Sequence, residues 1–387
     1  MNILIFEYKS FGIEDICETL ARLGHTYKVV TTNLVHERIN EDFNNTFEKQ
    51  LSTHYDCVFT FNYFPIVSEN CNRFNIPYIA YVYDSPLTAL YSYTIIYPCN
   101  YVFIFDKAQY QDLKKEGIKT VYYAPLAVNT KRLKRQLESQ ENNKDLYSCD
   151  ISFVGSMYNE KHNLFDKLNN LSPYAKGYLQ GIMQSQLNVY GYYFIEELLN
   201  DKILDELRKT VPYNAGKYGV ETDTYIYAYY FIARKLAEME RFDLLSALSE
   251  KFNVTLYTPN PTKNMPYVNN KGAIDYYNTM PYVFANSAIN LNISLRSIRS
   301  GIPLRCMDIL GCGGFLLSNY QSDFYEHFTP NEDLVLYESK ADLIKKCYYY
   351  MSHDKERTQI ALNGFGKVDE YHTYDVRLNE IFNIVFN

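Results

Sequence analysis

The chain contains no tryptophan at all, although it carries 40 tyrosines and 23 phenylalanines. Such an aromatic load could supply stacking platforms for sugars. Beside the abundant Asn, Ile and Lys it reads more simply as the residue bias of an AT-rich genome. No Cys-x-x-Cys pair occurs among the eight cysteines, and the seven histidines form neither a His-x-His nor a His-x-x-x-His pair. These spacings indicate neither a disulfide framework nor a metal site, and reduced, mostly buried thiols are expected. No apolar run approaches the ~20 residues that span a bilayer. The opening "MNILIFEYKS" reads as a strand rather than a signal peptide, so a cytoplasmic protein is expected. Positive charge is also scarce. With 38 Lys and Arg against 45 Asp and Glu, the net charge is −7, and the one locally basic run, "KRLKRQ" from Lys131, is followed at once by "ESQEN". This balance argues against a nucleic-acid partner and leaves the run as a solvated linker or helix face.

What is present is a globular composition, 47% apolar and 21% charged, in 387 residues. That length suggests two or three domains. The first third alternates apolar runs with amphipathic segments, the pattern of βα units on a parallel sheet. "NILIFEY" is a buried-type strand, "SFGIEDICETLARLG" a helix ended by Gly24, and "TYKVVTT", "YDCVFTFN", "PYIAYVYDS", "YVFIFD" and "TVYYAPLA" are further strands, each a helix length apart. These predict a Rossmann-like domain over 1–128. The polar stretch 129–148 has no core periodicity and reads as a linker. A second α/β set over 149–372 runs through "CDISFVGSMY", "FNVTLYT", "AINLNIS", "GFLLS" and "DLVLYES", with a helical segment at about 171–250 and a final helix over 373–387.

One cassette concentrates chemistry: "SIRSGIPLRCMDILGCGGFLLSN", Ser297 to Asn319. It reads as loop, helix with Pro303 in the first turn, glycine stop at Gly313 and Gly314, then strand. In an open parallel sheet, ligands sit outside the carboxyl ends of the strands, where a helix amino terminus offers N–H groups to a diphosphate. Arg305, with Arg296 or Arg299 on the preceding loop, would complete such an anion site, and Asp308 could accept a ribose diol. Arg305 and Asp308 could equally form a plain i, i+3 pair. Asn292 closes the preceding strand, while Gly155 and Ser156 in "FVGS" end the first strand of the second domain, where a glycine allows close approach of a phosphate or simply turns the chain. Asp84 in "YVYDSP" ends a strand and is a candidate general base, or with Ser85 the cap of a helix begun by Pro86. "SFG" (Ser10 to Gly12) is no Gly-x-Gly-x-x-Gly and supports no dinucleotide site. His25 reads as a turn residue, and His372 as a capping or interdomain residue.

"SGIPLRCMDILGCGGFLLS", with "DLVLYESKADLIKKCYYYM" and "EYHTYDVRLNEIF", resembles the carboxy-terminal module of the spore-maturation (CgeB-like) glycosyltransferase family, whose pattern is Arg, two residues, Glu, a short apolar helix, Gly-Gly and a strand. "LARLGHTYKVV", "YIAYVYDSP" and "YSCDISFVGSMYNEKHNLFDKL" are similar to its amino-terminal parts, so the likeness covers most of the chain. It implies a GT-B fold, two Rossmann-like domains facing across a cleft, with a nucleotide-sugar bound mainly by the second domain and a last helix returning to the first. Ser300 and Asp308 stand where related retaining enzymes carry two glutamates, which supports Asp308 as the ribose ligand. The reading implied is metal-independent transfer from a nucleotide diphosphate sugar, a UDP-sugar, to an unidentified acceptor, with no cofactor. Its alternatives are a sugar-nucleotide epimerase and a module that binds glycans or a partner without turnover. No Asp-x-Asp occurs to bridge a metal to a diphosphate.

Overall fold

Apolar runs buried on both faces need helices above and below them, and a parallel sheet with helical crossovers satisfies that need. Six strands form one sheet: β1 (Asn2–Glu7), β2 (Thr26–Thr31), β3 (Cys57–Phe61), β4 (Tyr78–Val82), β5 (Asn100–Ile104) and β6 (Val121–Tyr123), in the order β2-β1-β3-β4-β5-β6 with every pair parallel. The structure, a computed structural model, describes residues 1–33, 38–139, 144–160 and 163–387. β3 and β4 are wholly buried, whereas the edge strand β2 is mostly exposed.

The first helix spans Ile13–Arg22, and Gly24 beyond it has φ +78°, the left-handed stop expected of that glycine. Between β4 and β5 the regular spacing fails. No α-helix forms there; two 3₁₀ turns, Thr88–Leu90 and Tyr93–Ile96, make the crossover.

A second parallel sheet has the order β12-β11-β10-β7-β8-β9, from β7 (Cys149–Val154), β8 (Val254–Tyr257), β9 (Asn269–Asn270), β10 (Ser287–Asn292), β11 (Leu316–Asn319) and β12 (Val335–Tyr337). β9 has no apolar run and is invisible to periodicity. Ile151, Phe153, Ile289, Leu291, Leu317 and Val335 supply strand residues to the core of this half. Five α-helices, Pro173–Leu187, Ile195–Leu198, Asp201–Thr210, Asp223–Ile226 and Ala233–Ser249, fill the β7-to-β8 connection, the last two joined by a π-helical turn at Tyr227–Ile232.

The chain divides into two compact units: 1–129 with 215–222 and 372–387, and 130–214 with 223–371. Residues 215–222 belong to the first unit through Tyr93 N–H to Tyr218 O (3.1 Å), Val220 N–H to Tyr91 O (3.0 Å) and the ion pair Arg38–Glu221 (2.7 Å). The helix Tyr374–Phe386 packs on Ile13–Arg22, fixed by Arg22 to Asp375 at 2.6 Å. Part of the expected linker, 140–143, lies outside the described residues. The rest is not featureless: Thr130–Glu138 is a helix that buries Thr130 and Leu133. The run from Lys131 is thus a helix face.

Candidate functional site

In the second unit the carboxyl edge of the sheet is where β7 leads into Gly155 and Ser156, β8 into Thr258–Asn260, and β10 into 293–303. One buried amide joins the first two loops. Asn260 Oδ1 accepts from Ser156 Oγ (3.0 Å), Met157 N–H (2.8 Å) and Thr258 Oγ1 (3.1 Å). Below them Arg241, only 8% exposed, donates to the carbonyls of Ser156 and Ile293, the latter at 2.6 Å, and lies against the rings of Phe153 and Tyr158. Its Nε has no partner among the described residues. Burial lowers the pKa of this guanidinium, which has carbonyl dipoles for hydrogen-bond partners rather than a carboxylate. Arg241 therefore clamps the exits of β7 and β10 together.

The helix Leu304–Gly311 starts at this edge with Pro303 as N-cap. Arg305, in its first turn, lies 3.6 Å from Asp308 Oδ2 and 5.5 Å from the Phe284 ring centroid, and also touches Met280 Sδ. Asp308 is buried, and Tyr276 donates its hydroxyl to Oδ1 at 2.9 Å. The i, i+3 pair allowed by the spacing is present, with Tyr276 as a third member.

The other sequence candidates part company here. Arg296 is turned inward: Nε and Nη2 bind Glu240 at 2.9 and 2.7 Å, further donors reach the carbonyls of Val189 and Leu187, and the guanidinium stacks 3.5 Å from the Tyr190 centroid. It is a buried structural cation rather than an open anion ligand. Asn292 is buried too, donating to Ser294 Oγ and Ser318 Oγ at 2.9 Å each, so it ties β10 to β11. Gly313 and Gly314 lie at the opposite, amino edge of the sheet. The helix runs antiparallel to the strands, so its end and the start of β11 fall far from its first turn. Gly313 has φ +69°, and a Cβ on Gly314 would sit 2.6 Å from Phe284 O and 2.7 Å from Asn290 Nδ2. Both glycines are demanded by the turn and the packing, and neither accompanies Arg305 and Asp308. Cys306 on this helix and Cys312 just past it are buried, and burial pushes the Cys306 thiol up to about 12.

In the first unit Asp84 follows β4 and is exposed. Asn62, at the end of β3 with φ +63°, donates to Asp84 Oδ2 at 2.8 Å and accepts from the N–H groups of Tyr83 (2.9 Å) and Asp84 (3.1 Å). Asp84 starts no helix; the next turn, Thr88–Leu90, has Leu87 at its N-cap, and Ser85 donates instead to Asp106 at 2.7 Å. Gly12 approaches closely here, since a Cβ on it would lie 2.6 Å from the Tyr374 hydroxyl. His25 lies in the turn before β2, edge-on to Phe382, and Thr373 rather than His372 caps the last helix.

Sequence reading missed Asn62, Glu240, Arg241, Asn260 and Tyr276. One signal was available. In the helix Ala233–Ser249 the buried face reads Leu236, Ala237, Glu240, Arg241, Leu244, Leu245 and Leu248, so two adjacent charges interrupt a core stripe.

Comparison with known proteins agrees with this architecture. Residues 236–383 match the family described as glycosyl transferase-like. The whole chain has the GT-B fold of glycosyltransferases. It superposes on sucrose-phosphate synthase from Thermosynechococcus elongatus with a TM-score of 0.58 at 8% identity, covering 100% of this chain and 99% of that one. On the Anabaena protein Alr3699/HepE, solved in complex with UDP and glucose, the TM-score is 0.53 at 9% identity over 99% of both chains. WaaG, a glycosyltransferase involved in lipopolysaccharide biosynthesis, gives 0.51 at 10% identity over 100% of both. No curated protein sequence matches the chain. The carboxy-terminal part thus matches a glycosyl transferase-like family, and the chain as a whole has the GT-B fold.

Proposed function

We propose that the chain moves a sugar from a UDP-sugar to an acceptor hydroxyl, holding the donor on its second unit. The observation that carries this reading is the first turn of the helix Leu304–Gly311, where Arg305 and a buried Asp308 stand side by side at the carboxyl edge of a parallel sheet. The helix amino terminus and Arg305 suit a diphosphate. Asp308, oriented by Tyr276, suits a ribose diol. Gly155 and Ser156, fixed from below by Arg241 and from the side by Asn260, present backbone to the same edge. Arg296 and Asn292 support this edge from within. That a similar fold has been solved with UDP and glucose favours a uridine nucleotide. Asp84, held by Asn62, is the base offered to the acceptor.

Replacing Arg305 or Asp308 by alanine is expected to weaken UDP binding by about 1–3 kcal/mol each, read by calorimetry with melting temperature as the control. Unchanged affinity in both variants would move the donor elsewhere. Incubation with UDP-sugars separates the chemistries: a transferase releases UDP, an epimerase yields an isomeric nucleotide-sugar, and a binding module does neither.

Charge on the departing diphosphate is met in this reading by Arg305 and helix N–H groups. Transfer is therefore expected to survive EDTA. Loss of turnover on chelation, restored by Mn²⁺ or Mg²⁺, would reject that part.

A further inference from the structure

The helical connection between β7 and β8 holds a pocket of 450 Å³, open to solvent on one side and lined by the helices Pro173–Leu187 and Ala233–Ser249 and the 3₁₀ turn Leu164–Lys167 with the residues that follow it. Six apolar side chains line it: Phe165, Leu168, Leu171, Leu179, Met183 and Met239. Its polar lining residues are Lys176, Gln180 and Lys235. Lys176 and Gln180 are exposed and Lys235 half-buried, so their polar ends belong to the rim while leucines and methionines form the floor.

From this we infer that the cavity takes the chain of an anionic amphiphile, a linear alkyl tail inside and an acidic head at Lys176 and Lys235. The size falls in the range of small-molecule sites, roughly 300–1,000 Å³. A sugar or nucleotide needs hydrogen-bond partners on the floor, and apolar side chains offer none. Unbranched, adaptable methionine side chains with a single aromatic suit a flexible chain better than a flat ring. A recessed cavity accepts a chain from outside, whereas a surface that inserts into a bilayer must project. The charge at the mouth selects the head. Lys235 is shared with Glu238 at 2.8 Å, but Lys176 has no carboxylate partner among the described residues. The other acids on the lining elements are Asp166, which is exposed, Glu240, which is paired with Arg296, and Asp243, which is paired with Lys340. This site is separate from the donor site and does not rest on the transfer reading.

The test uses the full chain and dodecyl phosphate below its micellar concentration, followed by calorimetry. One molecule is expected to bind per chain. Met239→Trp, at a half-buried position, fills the cavity and should weaken binding at least tenfold. As the chain has no tryptophan of its own, fluorescence of the introduced indole checks that the variant is folded and reports any ligand beside it. Lys176→Glu with Lys235→Glu should weaken binding about tenfold, and dodecyl maltoside, with the same tail and a neutral head, should bind about tenfold more weakly than the phosphate. Absence of binding, displacement by inorganic phosphate, or affinity unchanged in Met239→Trp would overturn the site. Equal affinity for the maltoside would overturn the anionic head. Association with anionic vesicles that Met239→Trp leaves intact would place the lipid on the surface instead and overturn the proposal.

Discussion

Asp84→Asn is expected to lower transfer by about 10²- to 10⁴-fold while leaving donor affinity and melting temperature almost unchanged. The amide is isosteric with the carboxylate, and its oxygen can still accept the Asn62 Nδ2 bond that holds Asp84 at 2.8 Å. What the variant loses is the capacity to take a proton from an acceptor hydroxyl. Asp84 stands after a strand whose every residue is buried, so its backbone is rigidly placed, yet the side chain itself is exposed. A purely structural Asp84 gives the opposite split. In that case the asparagine variant transfers at the normal rate and Asp84→Ala, which removes only the partner of Asn62 Nδ2, lowers only the melting temperature. Turnover and melting measured on both variants decide between the two, and full activity in Asp84→Asn removes the residue from the mechanism.

The largest effect on stability is expected from Glu240→Ala. Glu240 and Arg296 are each only 4% exposed in their side chains and meet through two charge-assisted bonds of 2.7 and 2.9 Å. Removing the acid leaves a guanidinium buried with only carbonyl partners, a loss of about 3–5 kcal/mol. For a unit of this size that corresponds to a melting point lower by roughly 6–20 °C. Restoring an apolar interior with Glu240→Leu and Arg296→Met together should recover most of it, because the penalty comes from the unpaired charge rather than from the missing bond. A melting point within 2 °C of the parent in Glu240→Ala would mean that water or a rearranged neighbour satisfies Arg296.

Most of the architecture could be read along the chain because most strands of the two sheets carry an apolar core, as in β3 and β4, and some helix stops are signalled locally, as at Gly24. The 3₁₀ crossover between β4 and β5 escaped because Pro86, Tyr91 and Tyr93 belong to a segment whose shape is set by packing, not by period. The helix Thr130–Glu138 escaped because a buried stripe of Thr130 and Leu133 is too narrow to register among charges. The site was legible only where partners are close in sequence. Arg305 and Asp308 are three residues apart and could be paired on sight. Arg296 could not be recognised as structural, since Glu240 lies 56 residues before it. Gly313 and Gly314 share a cassette with Arg305, but a helix carries its two ends to opposite edges of the sheet, and adjacency in sequence says nothing about which edge is reached.

The discontinuity of the first unit bears on biosynthesis. Residues 1–129 form its entire sheet, yet Glu221, the partner of Arg38, and Asp375, the partner of Arg22, are encoded far downstream. At the usual ~5–20 residues per second of synthesis, the roughly 240 residues between 129 and 372 take about 12–50 s to make. During that interval, while the second unit is being made, the amino-terminal sheet stands without the helix that packs on Ile13–Arg22. Completion of the first unit therefore waits on the last residues to be synthesised, although its sheet is encoded first.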